Sequence, residues 1–180
     1  MAAVDALVSE LDWEYVSPVV RDWGSLEQEL GIRFPDDYKY LMTKFPSGFF
    51  RGFIACVNPV ESEVAVNTFV HEFTDSVENL RAWREFEVGR IPYPIAPEEG
   101  GMFLWGYGKE GQGFYWVPID GNGAGFVAFC NDDFSAWVVY NGLISEFLLD
   151  FVRGNVSADF LDLGEVEEES HFRPSGVYFS

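Results

Sequence analysis

The chain reads as one α+β domain, and three observations predict it. Up to about residue 86, apolar residues recur at helical spacing. From about 102 to 140 the sequence becomes short apolar, aromatic runs separated by Gly- and Asx-rich turns. A block of helices followed by a meander points to an α+β layout. The length of 180 residues suits a single domain with a sizeable core.

The elements follow in order. Val4, Leu7, Val8 and Leu11 repeat at i, i+3, i+4, i+7 and predict a short amphipathic helix. Ser25-Leu26-Glu27-Gln28 has the pattern of a capping box, with Asp22 as the alternative start one turn earlier, and Gly31 suits the C′ position. Pro35 opens the next helix, with Asp36 and Asp37 in its first turn where the helix dipole favours acids. Phe34, Tyr38, Leu41, Met42 and Phe45 form its apolar stripe, and Pro46-Ser47-Gly48 stops it. Phe49 to Val57 reads as one strand, broken by Asn58-Pro59. Val66, Phe69, Val70, Phe73, Val77, Leu80 and Trp83 predict the longest helix, from about Glu61 to Phe86; Thr74-Asp75-Ser76 is where it would break if it breaks at all. Pro92, Pro94 and Pro97 fix an extended crossing. Four strands follow, roughly Met102–Tyr107, Gly113–Ile119, Gly125–Cys130 and Ser135–Tyr140. Their short connections predict antiparallel neighbours. A helix from Leu143 to Val152, ending at Gly154, closes the core. Residues 155–180 form an acidic extension with Asp159, Asp162, Glu165, Glu167, Glu168 and Glu169; Phe160, Leu161 and Leu163 within it are able to dock.

Composition narrows the function classes. A hydrophobic share of 48% argues against disorder. Eighteen Phe, eight Tyr and six Trp predict a core of large flat side chains. Thirty acids against 11 bases give a net charge of −19. This argues against direct nucleic-acid binding and against an anionic membrane surface, because both require Lys and Arg. It favours a basic protein partner, although acidity also serves solubility alone. The absence of an apolar run near ~18 residues and of a basic leader gives the expectation of a soluble, cytoplasmic protein. Cys56 and Cys130 lie in apolar runs and are expected as buried free thiols.

The chemical motifs lose to simpler readings. Gly106-Tyr107-Gly108-Lys109-Glu110-Gly111 matches G-x-G-x-x-G, but a strand follows it where a dinucleotide site needs a helix. Asp120-Gly121-Asn122-Gly123 starts like a calcium loop, yet Ala124 and Asn131 occupy ligand places. His71 reads as a polar helix flank, and His171 sits beside the acidic tail. Trp105, Tyr107, Tyr115 and Trp116 suggest either an aromatic groove or, by alternation, a sheet with half of them in its core. We expect no catalytic residues, no metal and no cofactor.

The order of segments carries a resemblance. Leu26-Glu27-Gln28-Glu29-Leu30-Gly31, Phe34-Pro35-Asp36-Asp37-Tyr38 and Phe45-Pro46-Ser47-Gly48, then Pro92-Tyr93-Pro94, Gly100-Gly101 and Leu104-Trp105-Gly106, and later Phe114-Tyr115-Trp116 and Phe147-Leu148-Leu149 together resemble the SUKH superfamily (the Smi/Knr-like domains), from about Trp23 to Gly154. The resemblance implies a twisted, mainly antiparallel sheet of about five to six strands flanked by helices. It implies a binding scaffold without a shared catalytic set: bacterial members are mostly viewed as immunity proteins that neutralise toxins, often nucleases, and eukaryotic members as regulatory adaptors of cell-wall synthesis. On this basis the expected role is a non-enzymatic immunity protein against a basic toxin domain. A regulatory adaptor is the alternative, and a small-molecule site or enzyme near Trp105–Trp116 is the third reading. The residues expected on the partner surface are Glu98, Glu99, Glu110, Asp120, Asp132 and Asp133.

Overall fold

A computed structural model describes residues 1–120, 123–161 and 172–175. Its elements are α1 (Ala2–Glu10), α2 (Trp23–Leu30), α3 (Asp36–Lys44), β1 (Gly48–Phe50), β2 (Ile54–Cys56), α4 (Glu63–Phe86), β3 (Phe103–Gly108), β4 (Gly113–Pro118), β5 (Gly125–Cys130), β6 (Trp137–Tyr140), α5 (Ile144–Val152) and β7 (Phe172–Pro174). Seven strands form one sheet in the order β6-β5-β4-β3-β2-β1-β7, and every pairing of neighbouring strands is antiparallel. The α+β prediction therefore stands, with one strand more than the upper expectation.

The surplus has two sources. The predicted strand Phe49–Val57 is a hairpin, because Arg51 (φ 49°) and Gly52 (φ 63°) both adopt the left-handed conformation and turn the chain back on itself. That conformation is uncommon for an arginine. Its guanidinium is held by the Phe151 carbonyl at 3.0 Å and lies over the Phe151 ring, which offsets the local strain. The second source is β7. Phe172 packs on Trp13, Phe45 and Phe50 with ring centroids 4.8–5.1 Å apart, pinning the C-terminal segment to the edge of β1.

The open start of α2 resolves at the earlier residue. Asp22 caps it, with Oδ2 accepting from Ser25 N–H at 2.8 Å, which satisfies one of the free donors of the first turn. The long helix α4 runs unbroken, capped by Ser62. Thr74 does not interrupt it; its hydroxyl donates back to the Val70 carbonyl at 2.8 Å.

Both faces of the sheet are covered. On one, Phe147 of α5 contacts Trp105, Phe114, Phe129 and Tyr140. Strand alternation turns Tyr115 to the other face, where it meets Trp137 and faces Ser76 of α4. Trp105, Tyr115 and Trp116 are buried and Tyr107 is half-buried, so three of the four sheet aromatics belong to the core, one more than alternation alone suggests. Beneath the helices, Asn58 is a hub. Its Nδ2 donates to the Met42 and Phe45 carbonyls and to Ser17 Oγ, and its Oδ1 accepts from Val60 N–H.

Candidate functional site

A cleft of about 560 Å³ opens at one end of the sheet. Its floor is Phe103 and Trp116, paired across β3 and β4. One wall is the α2–α3 connection, Gly31 to Arg33; the others are the loop Pro97–Gly101 and the residues after β4, Ile119, Asp120 and Gly123. Local sequence dictates the walls. Gly31 closes α2 at φ 68°, and a Cβ there would lie 2.9 Å from Pro97, so glycine both ends the helix and lets the loop approach. The loop is tied by Glu98 N–H to Ile95 O (2.9 Å) and Gly101 N–H to Glu98 O (2.8 Å). A Cβ on Gly101 would sit 2.5 Å from Ala96 N, so a side chain there would displace the loop.

Three of the six expected partner residues line this cleft: Glu98, Glu99 and Asp120. They differ in freedom. Arg84 of α4 donates to both oxygens of Glu98 at 2.8 and 3.0 Å, and Ile95 N–H adds a third bond at 3.2 Å. These donors hold the Glu98 carboxyl down at about 2, so it is ionised and its charge is compensated locally. Asp120 Oδ1 accepts from Ala124 N–H at 3.2 Å, closing the β4–β5 turn. Glu99 is exposed on the rim beside Ile119, whose side chain is also largely exposed. Arg33, Ile119 and the Arg84 clamp belong to this site, and sequence reasoning missed them. The capping pattern at Gly31 was the only available signal of where α2 ends.

The other three expected residues lie elsewhere. Consecutive turns of a meander alternate ends, so Glu110 (β3–β4 turn) and Asp132 and Asp133 (β5–β6 turn) sit at the end opposite Asp120. The six residues of β4 separate the two ends by roughly 20 Å. Glu110 and Asp132 are exposed. Asp133 binds Arg90 at 3.2 Å and accepts from Ser135 N–H at 3.0 Å; the Ser135 bonds, aided by Arg90, lower its carboxyl below the usual range. The six residues thus form two acidic ends rather than one patch.

The readings of the glycine-rich run, of His71 and of the two cysteines hold. The glycine-rich run at 106–111 makes the β3–β4 turn, with Gly108 N–H to Gln112 O at 2.7 Å. Residues 121 and 122 of the calcium-like loop lie outside the described residues, as do Asp162, Leu163, His171 and the acids at 165–169. His71 is an exposed flank of α4, 3.4 Å from Asp75. Cys56 and Cys130 are buried and free. Burial pushes Cys130 up to about 12 and Cys56 higher still, which makes both poor nucleophiles. Among the described residues no cluster of His, Cys, Asp or Glu could hold a metal ion, and no helix is long and apolar enough to cross a membrane. A second hollow, about 330 Å³, opens between Trp13, Tyr15, Pro46 and Pro174.

No curated protein and no solved structure matches the chain. A sequence model of the SMI1-KNR4 cell-wall family, SUKH_6, matches residues 21–138. That span runs from the cap of α2 through the cleft walls and the meander into β6. The chain belongs to the SMI1-KNR4 cell-wall (SUKH_6) family.

Proposed function

We propose that this protein is a non-enzymatic binding domain of the immunity type, which occupies and blocks a basic toxin domain, with nuclease toxins the best chemical fit. The observation that carries the reading is the charge of −19 together with Glu99 and Asp120 on the cleft rim, where Arg33 is the one lining cation among the described residues and Glu98 is already paired with Arg84. A nuclease must hold phosphates, so its active site is basic, and an acidic rim with apolar Ile119 among the carboxylates is complementary to it. The test mixes the protein with the toxin domain encoded beside its gene. Growth protection and a salt-sensitive complex are expected, and Glu99→Lys with Asp120→Lys should weaken that complex. If every neighbouring candidate toxin gives neither protection nor a complex, the reading fails.

A regulatory adaptor is the second reading. The matched family's description as a cell-wall family favours it. Gene neighbourhood separates the two: a secreted protein with a C-terminal toxin domain encoded next door supports immunity, and a cell-wall synthesis gene supports the adaptor.

A further inference from the structure

Two apolar side chains at and just beyond the C-terminal end of α4 are left outside by the fold: Phe86, its last residue, is 80% exposed and Val88 97%. Single exposed apolar residues are ordinary. Phe86 is different because the structure holds its support in place and acids flank it, and Val88 lies just beyond it. The Phe86 ring stands edge-on to Trp83, 5.7 Å between centroids. Trp83 in turn packs on Phe134 of the β5–β6 turn and carries the Arg90 guanidinium over its ring at 4.9 Å. Arg90 is clamped on both sides, by Glu87 at 2.6 Å and Asp133 at 3.2 Å, while its Nε donates to the Asp133 carbonyl at 3.0 Å.

The surroundings are acidic. Glu85 and Glu87 flank Phe86 in sequence. Asp132 lies on the same β5–β6 turn as Phe134, and a Cβ on Gly111 would lie 3.1 Å from Asp132 Cβ, so the Glu110 turn lies beside that turn. Of the nearby cations, Arg84 is engaged by Glu98 and Arg90 by Glu87 and Asp133; Arg81, one turn before Glu85 on α4, and Lys109 are exposed. An aromatic anchor fixed before binding, inside a charged collar, is the anatomy of an interface hot spot. The sign of the collar selects the partner.

We propose that Phe86 and Val88 form the anchor of a docking surface for a basic protein face with an apolar pocket. Glu85, Glu110 and Asp132 steer that face, and the surface is distinct from the cleft. The inference rests on the proposed reading only in taking the same basic toxin domain as occupant.

Two measurements test it. A photo-crosslinking phenylalanine analogue placed at position 86 of the full chain in its host should capture a strongly basic protein, and the adduct should disappear when crosslinking is done in high salt. Binding of the neighbouring toxin domain to Phe86→Ala and Val88→Asp should weaken by about tenfold or more, with Tm unchanged because both side chains are exposed. Capture of only acidic or neutral proteins or of a second copy of this chain, no capture at all, or toxin binding unchanged in both variants would overturn the surface. If the neighbouring toxin is bound and blocked equally by wild type and both variants, the immunity reading survives and this surface does not. If no neighbouring toxin is bound or blocked while position 86 still captures a basic protein in a salt-sensitive adduct, the surface survives and the immunity reading does not.

Discussion

Asp37 lies in the first turn of α3, and its Oδ2 accepts the Ser145 N–H of α5 at 2.9 Å. Its Oδ1 and the Ser145 hydroxyl are buried without a hydrogen-bond partner. Burial pushes the carboxyl above its usual value, more than the Ser145 N–H bond pulls it down. A folded-state pKa raised above the unfolded one means that the folded chain binds the extra proton, so this residue's contribution is fully present at low pH and is lost as pH rises through the folded value. Asp37→Asn keeps an acceptor for Ser145 N–H and removes the titration. Its stability relative to wild type should therefore improve progressively from about pH 4 upward and then level off. Asp37→Ala should lose about 1–3 kcal/mol because a buried N–H is left without an acceptor. Thermal unfolding of the three proteins from pH 4 to 8 decides it; a constant Asn-to-wild-type difference would sink the account. The sequence places Asp37 in a helix's first turn correctly. It does not show the burial, because Ser145 is 108 residues away. Asn58 is similar: its strand-breaking role is legible, but its four partners come from three separate stretches of chain.

At the scale of elements, what is legible is local. Four meander strands, the ends of α4 and the Gly31 stop of α2 all follow from spacing, caps and turn residues. The hairpin within Phe49–Val57 escapes because Arg51 takes a positive φ that its residue type does not announce, and the contacts that hold it there come from α5. β7 escapes because three residues carry no period, and the acidic run before it hides its apolar anchor. That anchor gives a prediction. Phe172 is 7% exposed and touches three aromatic rings, so Phe172→Ala should cost about 3–5 kcal/mol as a core ring deletion. The loss should appear in urea unfolding, with reduced amide-exchange protection along β1. A loss below about 0.5 kcal/mol, the range of ordinary surface substitutions, would mean that β7 contributes no packing.

For the whole molecule, the charge of −19 is the feature most openly written in the sequence, and the cleft is among the least. The cleft depends on Gly31 meeting Pro97 and on Phe103 pairing with Trp116, contacts that only the folded chain brings together. The charge nevertheless makes a prediction of its own. Like charges repel within the folded state, and salt shortens their reach from about 30 Å at 0.01 M to about 8 Å at 0.15 M. The exposed pairs Arg84–Glu98 and Arg153–Glu10 contribute little individually to oppose this. Adding salt over that range should therefore raise the melting temperature, by roughly 2–4 °C for each kcal/mol of repulsion relieved. The same salt should weaken the complex with a basic partner, because steering and rim contacts are screened. Opposite responses of stability and affinity distinguish a surface kept acidic for recognition from one balanced by internal ion pairs. A melting temperature that falls with salt would show that the ion pairs outweigh the repulsion and would remove this account of the excess acid.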